Sequence, residues 1–158
     1  MPALHTSDPH TEQHTERRRR WMGVLAKAAP DEVAAAWQRL APKPAYELLR
    51  RPETGLVMVR GRTGGDGAPF NLGEMTVTRC SVRLEGGAVG HAWVAGRRAD
   101  HAERAAVLDA LMQDPARHAA VAPEIDRLEA AMATRRDRAA REAAATRVDF
   151  FTMVRGED

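Results

Sequence analysis

The residue types best suited to chemistry gather between Arg79 and Glu103. In Thr76–Leu84, Arg79 and Arg83 alternate with Ser81, so a strand here projects both guanidiniums from one face. Arg97 follows shortly after. Arginine grips phosphates and carboxylates through paired N–H donors. His91 and His101 are general acid–base candidates, because imidazole titrates near neutral pH. With Cys80 they supply metal-ligand types, but at no recognised ligand spacing, and no metal site is assigned. The glycine-rich stretch Gly61–Gly73, GRTGGDGAPFNLG, offers backbone N–H groups to an anion. It lacks both GxxxxGK[ST] and a strand-to-helix GxGxxG, and it joins strand to strand, where no helix dipole assists. Ser81 stands in no nucleophile elbow, and no acid pair has a matched spacing. No catalytic residue is assigned. Arg79, Arg83, His91, Arg97, His101 and Glu103 remain candidate contacts for a substrate or a partner.

Elements with readable signals must hold these residues. Thr76, Thr78, Cys80, Val82 and Leu84 predict one strand face, and Val77, Arg79, Ser81 and Arg83 the other. Glu85-Gly86-Gly87 predicts a hairpin turn. The return strand Gly90–Gly96 sets His91, Trp93 and Ala95 on one face and Ala92 and Val94 on the other. Asp100 with Glu103 three residues later predicts a capping box that opens a helix over His101–Gln113. Asp114-Pro115 ends that helix.

Upstream, Glu16–Ala29 predicts a helix with Trp21, Leu25 and Ala28 on one face. Its start carries the run Arg17–Arg20, where like charges cost stability unless something neutralises them. Pro30-Asp31-Glu32 restarts a helix with Val33, Trp37 and Leu40 as its stripe, and Pro42 and Pro44 stop it. Tyr46–Arg51 and Leu56–Arg62 predict two strands, joined by the turn composition Arg51-Pro52-Glu53-Thr54-Gly55. Apolar residues on both faces of Leu56–Arg62 predict an interior strand. Downstream, Pro123-Glu124 predicts the start of a last helix, with Ile125, Leu128 and Met132 as its stripe, running to about Thr146. The segment Arg147–Arg155 is apolar enough to predict docking in the sheet or on a partner.

The sum is an α+β fold: a small antiparallel sheet of four strands packed with helices, in a single domain over residues 16–158. Residues 1–15 are polar, with Pro2, Pro9 and three histidines, and predict a disordered tail. The length of 158 residues suits one domain. The net charge of +2 and the 4% aromatic content argue against nucleic acid. The lone cysteine excludes an internal disulfide and a CxxC pair, which fits a reducing compartment such as the cytoplasm. No apolar core follows the N-terminal charges as in a secretory signal, and no apolar run approaches membrane-spanning length.

Several segments together resemble a known family. They are Glu53–Val57 (ETGLV), Gly73–Arg79 (GEMTVTR), Val82-Arg83-Leu84, Gly90–Arg97 (GHAWVAGR), His101–Arg104 (HAER) continuing to Leu108–Gln113, and Arg147–Gly156 (RVDFFTMVRG). The opening Trp21-Met22-x-Val24-Leu25-Ala26 adds to them. The chain is similar to the G subunit of the carbon–phosphorus lyase core complex, from about Arg19 to Gly156. The HAER helix and the final motif are specific as a pair. The resemblance implies an accessory, non-catalytic subunit in phosphonate catabolism. Such a complex transfers the ribose triphosphate moiety of ATP to methylphosphonate and releases adenine. It implies partners in the H, I and J subunits, a functional link to L, a cytoplasmic location, and no cofactor of the chain's own, ATP being the complex's substrate. It supplies no catalytic residue to carry over. His91 stands where some members have tyrosine, and Ala105 where a cysteine occurs. Read without the resemblance, the arginine cluster and glycine loop suit a stand-alone phosphate- or nucleotide-binding transferase.

Overall fold

The structure is a computed structural model that describes residues 9–146. Helix α1 spans Pro9–Lys27 and α2 spans Pro30–Arg39. Strands β1 (Tyr46–Arg62), β2 (Pro69–Leu84) and β3 (Val89–Ala95) follow, then helices α3 (Ala99–Gln113) and α4 (Pro115–Ala145). The strands form one antiparallel sheet in the order β1-β2-β3. α3 lies across all three strands, and α1 and α4 pack against α3. The α+β class is as expected.

The core lies between one sheet face and the helices. Cys80, Val82 and Leu84 of β2 and Ala92 and Val94 of β3 meet Trp21, Leu25, Val33, Leu108, Val121, Ile125 and Leu128. The predicted alternation of β2 and β3 holds, and the face that carries these residues is the inward one. Alanines compensate for the scarcity of aromatics: Ala102, Ala105, Ala106 and Ala110 are buried along α3 and let elements approach closely. At Gly90 the approach reaches its limit. A Cβ there would lie 1.9 Å from the Ala106 carbonyl oxygen and 2.6 Å from the Ala110 nitrogen, so only glycine fits.

Several boundaries differ from expectation. The predicted strands Tyr46–Arg51 and Leu56–Arg62 are one strand, making three strands rather than four. The Arg51–Gly55 composition marks irregular pairing instead of a turn: the register shifts between Leu48 and Arg50 and again between Arg50 and Glu53. Pro52 is tolerated there because β1 is an edge strand with an interrupted ladder. β1 is therefore not interior, and Leu56 is 63% exposed. Most of the glycine-rich stretch is also strand. Only the tip around Thr63–Gly65 turns, where Gly64 and Gly65 have φ of 63° and 89°. β1 and β2 thus extend together as an arm beyond the end of β3, which pairs with β2 only from Val77 to Arg83.

Three helix starts also move. α1 begins at Pro9, so residues 9–15 of the expected tail are helical, and residues 1–8 lie outside the described residues. α3 begins at Ala99 with Arg98 at the cap and no side-chain cap bond, so Asp100 and Glu103 form no capping box. α4 begins at Pro115, with Asp114 accepting from the Ala116 N–H at 2.9 Å, and Pro123 lies inside the helix. Asp114-Pro115 ends one helix and opens the next, which is the ordinary use of proline at a first helical position. The predicted docking of Arg147–Arg155 falls outside the described residues.

Candidate functional site

The outer sheet face carries three of the candidates, Arg79, Arg83 and His91, with their cross-strand neighbours. In register, Glu47 faces Arg83, Arg50 faces Ser81 and Glu53 faces Arg79 across β1 and β2. Ser81 faces His91 and Arg79 faces Trp93 across β2 and β3. Arg83 Nη1 donates to Glu47 Oε1 at 2.8 Å. Glu53 accepts from both Arg50 and Arg79, and these donors hold its carboxyl below the usual carboxylate range. Arg79 also lies over the Trp93 ring at 5.4 Å from its centroid. Both strand arginines project together as predicted, but each is committed to a carboxylate. That removes the unengaged pair of guanidiniums a phosphate would need.

His91 Nδ1 and Ser81 Oγ are 2.8 Å apart on this exposed face. No carboxylate orients the imidazole, and no oxyanion donors converge on the hydroxyl among the described residues, so the pair is not a hydrolytic dyad. Cys80 lies on the opposite, buried face, where its thiol donates to the Arg50 carbonyl at 3.3 Å. Burial first, and then the charge of Glu103, push that thiol up to about 11. Cys80, His91 and His101 are not brought together, and among the described residues no group of three metal-binding side chains exists.

His101 is buried at 3% exposure rather than standing at a cap. Its Nε2 lies 2.7 Å from the Leu25 carbonyl oxygen. A carbonyl only accepts, so the proton is on Nε2 and Nδ1 is a lone pair, buried without a partner. Desolvation lowers its pKa, against a smaller upward effect of the Leu25 bond. His101 ties α3 to α1 as a neutral structural group. Arg97 is exposed, and its side chain makes no ion pair or hydrogen bond among the described residues.

Glu103 accepts from the Tyr46 hydroxyl at 2.7 Å, beside a cleft of about 240 Å³ lined by Trp37, Tyr46, Asp100, Glu103, Arg104 and Val107. Burial, and then the Glu103 bond, push the Tyr46 hydroxyl up to about 12. The cleft is too small for a nucleotide, and Arg104 at its edge is paired with Asp100.

The most connected polar group was not among the candidates. Asp109 is fully buried and accepts from Arg18 Nη2 at 2.8 Å, Trp21 Nε1 at 2.8 Å and the His91 backbone N–H at 2.9 Å. Gln113 Nε2 caps the cluster by donating to the Val89 and Asp109 carbonyls. One carboxylate thus joins α1, α3 and β3. Two more of the four-arginine run are neutralised internally: Arg19 pairs with Glu16, and Arg20 with Glu129 and Asp126, while Arg17 donates only to the Gln13 carbonyl. The signal for Asp109 was present, since an acid interrupts the inward series Ala102, Ala105 and Met112 at helical spacing.

What stays uncovered is apolar. Leu56 and Met58 stand on one face of the arm, and Phe70, Leu72, Met75 and Trp93 are exposed as well. Trp93, on the face shared with His91 and Ala95, is 50% exposed on the outer side of the sheet. It borders a cleft of about 280 Å³ with Glu53, Thr54, Leu56, Val57, Val77 and Arg79. Among the described residues this face holds no oriented hydrolytic dyad, but a sheet face and arm of this kind suit contact with another polypeptide.

Comparison with known proteins agrees with the segments singled out in the sequence. Residues 16–156 match the family described as Phosphonate metabolism protein PhnG. The chain is also 48% identical to the alpha-D-ribose 1-methylphosphonate 5-triphosphate synthase subunit PhnG of Rhizobium meliloti (strain 1021), over all of this chain and 99% of the relative. With a bare sheet face, ion-paired arginines and a match spanning the whole described fold, the chain belongs to the PhnG family of phosphonate metabolism proteins.

Proposed function

We propose that the chain is an accessory subunit of an assembly that transfers the ribose triphosphate moiety of ATP to methylphosphonate and releases adenine. It contributes contacts and no catalytic residue. The carrying observation is the uncovered apolar surface on the β1–β2 arm and the outer sheet face, beside arginines whose charge is already spent on Glu47 and Glu53. Monomeric proteins rarely leave a contiguous patch of this kind without a partner. The name of the full-length relative, a synthase subunit, supports the reading. The partners are the H, I and J subunits, with a functional link to L. ATP is a substrate of the assembly, no cofactor belongs to this chain, and the setting is the cytoplasm.

The test is co-expression of the full chain with the H, I and J subunits, followed by affinity capture at moderate salt. A stable complex is expected, and adenine release from ATP and methylphosphonate, with L supplied, should depend on this chain. Failure to co-purify would overturn the reading. So would ATP binding by the isolated chain at the strength of a complete active site, which the stand-alone transferase requires.

A further inference from the structure

The open edge of β1 is a different surface from the faces just described. β1 pairs with β2 alone, so its other edge is unpaired among the described residues. Proteins guard such edges with proline, bulges or charges. The first half of β1 is guarded in this way, by Pro52 and by register shifts on both sides of Arg50. The second half, Thr54–Arg60, pairs with β2 without a shift up to Val59 and contains no proline.

The direction of its backbone groups follows from the neighbouring ladder. Gly96 donates its N–H to the Thr76 carbonyl at 2.8 Å, which turns the Thr76 backbone toward the β3 side. Leu56 lies directly opposite Thr76, so the Leu56 N–H and C=O turn the other way, to the open edge. By alternation Thr54, Met58 and Arg60 do the same.

We propose that this half-strand pairs antiparallel with the same half-strand of a second copy of the chain, about a two-fold axis through Val57. In that register Leu56 stands opposite the second copy's Met58 on one face. Val57 meets itself on the other, Gly55 meets Val59, and Thr54 meets Arg60. The outward groups of Leu56 pair with those of Met58, and those of Thr54 with those of Arg60, so each finds a partner. A shift by two residues one way sets Leu56 against Arg60, and the other way sets Val59 against Glu53. Only the register centred on Val57 keeps charges away from aliphatic side chains and like charges apart. A two-fold contact must be self-complementary in this sense. The product is a six-stranded sheet whose outer face stays open, so the inference goes beyond the accessory-subunit reading and does not depend on it.

The pairing is tested by cysteine cross-linking in the full chain with Cys80→Ser. Val57 sits on the axis in a non-hydrogen-bonded pair, where Cα atoms approach to about 4.5 Å and a disulfide can form. Val57→Cys should give a covalent dimer on mild oxidation, while Phe70→Cys, more accessible on the arm, should not. Sedimentation should find a dimer for the unmodified chain. Met58→Pro, which removes only an outward N–H, should shift it to monomer with an unchanged circular dichroism spectrum. A monomer at all concentrations would overturn the proposal, as would equal cross-linking at positions 57 and 70, or a dimer indifferent to Met58→Pro. In the assembled complex, a Val57→Cys that links to a different subunit instead of to itself would overturn it too. None of these outcomes bears on co-purification with the other subunits.

Discussion

Two buried polar residues show how charge is spent in this chain. Asp109 is stabilised only because Arg18, Trp21 and the His91 N–H all point at it. Asp109→Ala would leave a guanidinium, an indole N–H and a backbone N–H without their acceptor. Removing one partner of a buried pair costs about 3–5 kcal/mol, and urea denaturation should show a loss of that size. Asp109→Asn, which keeps one acceptor oxygen, should lose less. His101 sets a pH dependence. Its folded pKa lies below the unfolded value of about 6.5. Below that value the unfolded chain therefore binds more protons than the folded one, and stability falls as pH drops through about 6.5 toward the folded pKa. Above it, this contribution is level. Thermal melts between about pH 5 and 7.5 should show the slope in the parent protein and a reduced slope in His101→Gln.

At the scale of elements, alternation in β2 and β3 was legible in the sequence because one face of each is buried and the other, Val77 apart, is not. Thr78, Cys80 and Val82 read as one face of β2, and Ala92 and Val94 as one face of β3, and those faces are the inward ones. β1 was not legible for the same physical reason inverted. Its second half has aliphatic residues on both faces, exposed at Leu56 and Met58 and half-buried at Val57 and Val59, so it imitates an interior strand, and Pro52 imitates a turn. Alternation alone cannot tell an arm awaiting cover from a strand already covered. The α3 start failed through competition. Asp100 and Glu103 have the capping-box spacing, but Glu103 takes the Tyr46 hydroxyl and Asp100 takes Arg104. The candidate site failed by the same route, because partners distant in sequence claimed Arg79 and Arg83 before any ligand could. Only the pairing register shows that Glu53 and Glu47 stand opposite them. The segments that identify the family were the easier reading, since they include close-packed positions such as Gly90, where α3 admits no side chain.

At the scale of the molecule, one sheet face is filled by helices and the other is bare, so the fold is finished on one side only. Trp93 sits on the edge strand β3 of the bare face, half-exposed and steadied by Arg79. A large aromatic held in place before binding is the kind of residue that dominates an interface. Its removal should cost the isolated chain little, because surface substitutions away from buried networks shift stability by about 0.5 kcal/mol. Its removal from an interface costs about 2 kcal/mol or more, which is roughly a 30-fold loss of affinity. Trp93→Ala should therefore leave the melting temperature nearly unchanged and weaken capture of the other subunits by about that factor. Leu49→Ala, exposed in the guarded half of β1, serves as the control and should leave capture intact. If Trp93→Ala and Leu49→Ala bind alike, the outer face is not the surface that holds the assembly, and the arm alone must do so.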